Sequence, residues 1–186
     1  MTDEELIEAV RASLAGRNVP DPATEEAVLE AEAAIGFPIP QILRRVYLEV
    51  ANGGFGPRFD VMGVRGHNYF VGGDYADIVE CYGSPDTNDP FPMSGKVWLL
   101  DWGCALWSLC DFSTPEGMMW GWDPHTCCER HTLFPKEQTV KDWLTNSIGA
   151  DYPQPFYDGY FGKVSADEHG CRPQIWVNGQ RANQMP

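Results

Sequence analysis

No stretch of this 186-residue chain approaches the roughly 18 consecutive apolar residues that a membrane-spanning helix requires. The opening Met1-Thr2-Asp3-Glu4-Glu5 is acidic, where a secretory signal would be basic and then apolar. The expectation is a cytoplasmic protein that neither crosses nor coats a membrane. Basic residues are scarce, 13 against 27 acidic, for a net charge of −14. That imbalance repels nucleic-acid backbones and anionic lipid and attracts cationic surfaces. Catalytic signatures are missing too: no G-x-S-x-G, H-E-x-x-H or Walker-type motif is present. Neither is there an internal repeat or a low-complexity tract.

Six cysteines, at 81, 104, 110, 127, 128 and 171, could form three bridges, but a reducing compartment and their apolar surroundings favour buried thiols. The one Cys/His cluster is Cys127-Cys128-Glu129-Arg130-His131, with His125 just before it. Structural zinc sites favour cysteines two to four residues apart, and adjacent cysteines do not readily reach one tetrahedral ion. Packing is therefore the reading for Cys127, Cys128 and His131, and no metal, cofactor or catalytic residue is assigned. A pocket enzyme using a cysteine or carboxylate stays open as the least favoured class.

What the chain has is apolar and aromatic content, 43% and 12% with seven tryptophans, enough at this length for a core without disulfides or metals. Thr2 and Glu5 form a capping box ahead of Leu6, Ile7, Val10 and Leu14, which predicts a first helix up to Gly16. Thr24, Ala27, Val28, Ala31 and Ile35 predict a second, closed by Gly36. Pro40 presets the third, whose stripe is Ile42, Leu43, Val46, Tyr47 and Val50, ending at Asn52-Gly53-Gly54. Beyond it, short Val/Tyr/Phe/Trp runs between turn residues predict strands at 59–64, 69–71, 97–101, 105–110 and 118–122. The stretch 75–81 is ambiguous between strand and helix, and 84–92 reads as a surface loop. Thr139 caps a last helix with Val140, Trp143, Leu144 and Ile148 on its buried face.

This order predicts an α+β fold: one domain over 1–150 with a central, mostly antiparallel sheet, N-terminal helices packed on it and a late helix. Residues 151–186 read as an irregular extension. The segment 97–111 is a tryptophan-rich hairpin turning near Gly103, most of whose Trp and Leu residues fill core, with some Trp exposed as contact anchors in a second reading.

Gly54-Phe55-Gly56 invites a phosphate-loop reading, but such loops follow a strand and open a helix, whereas here a helix precedes and Pro57 follows. The glycines instead suit a sharp turn. Together, Ile35-Gly36-Phe37-Pro38-Ile39-Pro40, Leu43-Arg44-Arg45-Val46-Tyr47, Asn52-Gly53-Gly54-Phe55-Gly56-Pro57, Asp101-Trp102-Gly103-Cys104 and Trp107-Ser108 resemble the SUKH superfamily. That superfamily includes the yeast cell-wall-assembly regulator and many bacterial immunity proteins. The likeness spans roughly 25–145; Arg58-Phe59-Asp60 departs from it, and 151–186 lie outside it.

The resemblance implies an α+β fold and, for bacterial members, a cytoplasmic antidote to a polymorphic toxin, often a nuclease. The alternative is a regulatory or scaffold protein of the same fold with several weak partners and no toxin. An acidic inhibitor would gain association rate against a basic toxin. The expected contact carboxylates are Asp86, Asp89, Asp111 and Glu116, while the motif residues Asn52 to Pro57, Asp101 and Trp102 are expected to be structural.

Overall fold

A computed structural model describes residues 1–66, 75–84, 93–103, 105–124 and 132–148, together with the backbone pairing of 176–177 and 180–181. Helix α1 (Asp3–Ser13) starts on the expected box: Glu5 N–H donates to Thr2 Oγ1 at 3.2 Å and Thr2 N–H to Glu5 Oε2 at 2.8 Å. Helix α2 (Glu25–Ile35) is capped by Thr24 and closed by Gly36 at φ +84°, whose amide reaches the Glu32 carbonyl at 2.8 Å. Helix α3 (Gln41–Glu49) follows Pro40 and buries Ile42, Leu43, Val46 and Tyr47. It ends three residues short of Asn52, because the Asn52 amide donates to the Asp21 carbonyl at 3.0 Å instead of continuing the helical ladder.

The chain then corrects one expectation: Phe59–Val64 is not a strand. Gly56, Arg58 and Phe59 take φ of +71°, +56° and +62°, which breaks any extended run. Two tight-turn bonds, Phe59 N–H to the Gly56 carbonyl and Asp60 N–H to the Pro57 carbonyl, mark Pro57–Phe59 as a short 3-10 turn with Arg58 in non-helical geometry. The apolar content that suggested a strand serves the core directly, with Val61, Met62 and Val64 at most 2% exposed. Only isolated bonds tie this segment to its neighbours, among them Met62 N–H to the Leu99 carbonyl at 2.9 Å.

The expected strand 69–71 and nearly all of the loop 84–92 lie outside the described residues. The ambiguous stretch resolves as helix α4 (Ile78–Gly83), capped by Asp77, whose carboxylate accepts from Val79 and Glu80 at 2.9 Å each.

Strands β1 (Lys96–Gly103), β2 (Leu106–Asp111), β3 (Met118–Trp122) and β4 (Leu133–Thr139) form one antiparallel sheet in sequence order. The first three match the expected runs. β4 was not anticipated, because Pro135 and the charged pair Lys136-Glu137 argue locally against a strand; at a sheet edge a proline costs no ladder bond. Helix α5 (Val140–Ser147) starts on the Thr139–Asp142 capping box and buries Val140, Trp143 and Leu144. Two short strands, β5 (Trp176–Val177) and β6 (Gln180–Arg181), pair antiparallel with each other; the rest of the segment 151–186 lies outside the described residues.

The fold is thus α+β, with helices on one face of the sheet. That face carries Val97, Cys110 and Met119, each 0% exposed, and Pro40 and the Cys110 sulfur both crowd Gly117. Gly53, at φ +95°, leaves no room for a side chain: an added Cβ would lie 2.8 Å from the Gly63 nitrogen and 2.9 Å from the Val61 oxygen. Gly53→Ala should therefore cost about 1–3 kcal/mol from strain and backbone collision together. Denaturant unfolding measures it, and an unchanged midpoint would show that the corner is not tightly packed.

Candidate binding face

The motif residues assemble one buried joint. Asn52, 7% exposed, accepts from Val64 N–H at 2.9 Å and donates its side-chain amide to the Arg65 carbonyl at 3.2 Å. Gly54 N–H is spent on the Val61 carbonyl at 2.8 Å, so it does not face an anion. Phe55 is fully buried and meets Tyr47 edge to face, with centroids 5.3 Å apart, while the Tyr47 hydroxyl donates to the Met62 carbonyl at 2.8 Å. Burial holds the Tyr47 phenol far above its ordinary pKa, so it stays neutral.

Arg58 then links this joint to the hairpin by donating to the Trp102 carbonyl at 2.9 Å, and the Trp102 indole donates to Ser108 Oγ at 2.9 Å. The segment 52–57 and the tryptophan hairpin therefore meet through Arg58. Asp101 serves its own turn, accepting from Gly103 N–H at 2.7 Å. A partner cannot reach most of these groups.

Much of the acidity of the helices is matched at short range. Glu4 and Glu49 clasp Arg45, Glu25 and Glu32 clasp Arg44, Glu8 pairs with Arg11, and Asp3 pairs with Lys141. Exposed pairs of this kind contribute about 0–1 kcal/mol each, but they spend charge that a partner might otherwise feel. Of the expected contact carboxylates, Asp86 and Asp89 lie outside the described residues. Asp111 is 7% exposed, holding Ser113 through Oδ1 and lying 3.6 Å from Lys96 Nζ through Oδ2. Glu116 is exposed in the turn between β2 and β3.

Cys81 and Cys110 are buried thiols whose pKa burial pushes up, so neither offers a thiolate at neutral pH. The other four cysteines, and with them the Cys127, Cys128 and His131 cluster, lie outside the described residues. Among the described residues, no group of three His, Cys, Asp or Glu side chains could hold a metal ion. An open cleft of about 580 Å³ lies between residues 18–24, Ala27, Asn52 and Arg65.

The arrangement with binding chemistry is the second face of the sheet. Residues directly opposite across strands share a face. The registers align Trp98 with Leu109, Trp120 and Pro135, and Asp101 with Trp107, Trp122 and Leu133. A third row runs Lys96, Asp111, Met118 and Thr139. Four of the seven tryptophans thus stand on one surface. Trp98 is buried at its centre and meets Trp107 and Trp122 edge to face, with centroids 5.2 and 5.4 Å away. Trp107, Trp120 and Trp122 are half-buried, and Pro135 and Glu137 are exposed.

The hairpin's tryptophans therefore divide: Trp102 fills core, Trp98 sits beneath the second face, and Trp107 is partly open. Sequence reasoning passed over Trp120 and Trp122 as members of this surface, although their two-residue spacing on a strand marks one side. Acrylamide quenching tests the division. Trp120→Phe should lower the quenchable fraction of the fluorescence, whereas Trp102→Phe should raise it by removing only unquenched emission; a change of the same sign in both would contradict this partition of faces. The chain matches no family model, no curated protein and no solved structure.

Proposed function

We propose that this protein is a binding protein of the SUKH superfamily type, an immunity protein that neutralises a basic polymorphic toxin by covering its active surface. The observation that carries this reading is the partly open tryptophan face of the sheet, with carboxylates on and beside it in a chain of net charge −14. Tryptophan is the residue most enriched where interfaces concentrate their energy, and large half-open aromatic surfaces mark contact sites. The surrounding negative charge would steer a cationic partner to this face and compete with its nucleic-acid substrate. The buried motif joint supplies rigidity to this reading and no chemistry.

The test is co-expression with the product of an adjacent toxin-like gene. Relief of toxicity and co-purification at raised salt are expected; failure of both sinks the proposal. Within a complex so obtained, the double reversal Glu116→Lys with Glu137→Lys should slow association roughly threefold to tenfold and flatten its salt dependence. Unaltered association kinetics would place the contact elsewhere.

A further inference from the structure

The buried joint contains an Asn-Gly pair, Asn52-Gly53. In an open chain such a pair is prone to ring closure, because glycine has no side chain to shield its nitrogen or restrict its approach. A base takes the glycine amide proton and the nitrogen attacks the asparagine Cγ. A new C–N bond closes a five-membered imide, and the side-chain nitrogen leaves as ammonia. Water then opens the imide to aspartate or to isoaspartate, in which the backbone runs through the former side chain.

The fold demands both residues at this place. Asn52 must both accept from Val64 N–H and donate to the Arg65 carbonyl, at 2.9 and 3.2 Å. Gly53 must hold φ +95° with no Cβ, since one would lie 2.8 Å from the Gly63 nitrogen. The contacts that require the pair also restrain it. Asn52 is 7% exposed and Gly53 is buried, so base and water are kept from the reacting atoms. Departure of Nδ2 would also break the bond to Arg65.

Conversion, once made, is incompatible with the joint. Aspartate has no donor for the Arg65 carbonyl and would set a buried carboxylate against it. Isoaspartate adds a backbone carbon where Gly53 already presses on the backbone of 61–63. We propose that Asn52-Gly53 is a modification site controlled by unfolding: silent while the joint is closed, it converts to aspartate or isoaspartate in chains whose joint has opened, and the product keeps those chains from refolding. Water is the only co-reactant. The site thereby sets the working lifetime of the protein, whatever partner it takes.

The experiment ages the full chain in mildly alkaline buffer, folded and in urea, and follows conversion at Asn52 by peptide mapping with mass spectrometry. Conversion should be at least about a hundredfold slower in the folded chain, because few molecules have a core joint open at any moment. Urea below the unfolding transition should speed it in step with the opened fraction. Tyr47→Phe removes the hydroxyl bond to the Met62 carbonyl beside the joint, and should speed conversion about fivefold in the folded chain while leaving the rate in urea unchanged. When aged, unfolded chains are returned to buffer, those converted at Asn52 should collect in the fraction that fails to refold, and unconverted chains should regain the native state.

Equal rates at Asn52 in the folded chain and in urea would overturn the proposal, as would a folded-state rate indifferent to added urea. If Tyr47→Phe does not fold, the urea series decides alone. Converted chains present in the refolded fraction in the same proportion as in the unsorted sample would also overturn it, by showing that the product does not bar the joint from closing.

Discussion

A buried primary amide must find partners for its donors and its acceptor, and at Asn52 that requirement joins three stretches of chain. Its backbone N–H binds Asp21 in the link between α1 and α2, and its side chain binds Val64 and Arg65 beyond the 3-10 turn. An unmatched buried amide costs about 1–3 kcal/mol, so the three segments are held in register by the penalty for parting as much as by the bonds. Gly53 and Gly54 follow because only positive φ lets the chain leave α3 and pass within contact of the backbone at 61–63. Phe55 and Tyr47 then fill the space beneath, and Arg58 carries the connection to the Trp102 carbonyl in β1. The placement of helices against the sheet depends on this joint.

With one face of the sheet committed to the helices, the other is free to differ from a core. Its tryptophans pack edge to face around Trp98, an arrangement that keeps large rings rigid at low conformational cost. A rigid ring on a strand is a better contact surface than the same ring on a loop, since little ordering entropy remains to be lost on binding. The helical layer meanwhile neutralises much of its own acid through Arg11, Arg44, Arg45 and Lys141. Net charge therefore overstates what the helices present to a partner, and on the tryptophan face Asp111 is likewise held by Lys96.

Helices α1, α2, α3 and α5 were legible because their signals are local. A capping hydroxyl, an apolar stripe at helical spacing and a glycine or proline at the end need nothing from distant residues. Strands β1 to β3 were legible through alternation and turn glycines. The segment 59–64 was misread because its apolar residues have strand composition while their direction is dictated by Gly56, Arg58 and Phe59 at positive φ. β4 was missed for the opposite reason: edge position and pairing with β3 admit a sequence that local propensity disfavours.

The sequence by itself determined the α+β order, the positions of the helices, the hairpin and the acidic excess, because helix caps, periodicity and charge are properties of neighbouring residues. Tertiary structure alone decided which tryptophans are core and which stand on the partly open face. That division depends on cross-strand register, and residues 98, 107, 120 and 122 are brought together only by pairing three strands. It also decided that Asp111 answers Lys96 and that much of the helical acid is matched, since an ion pair is fixed by distance in space, which separation along the chain does not reveal.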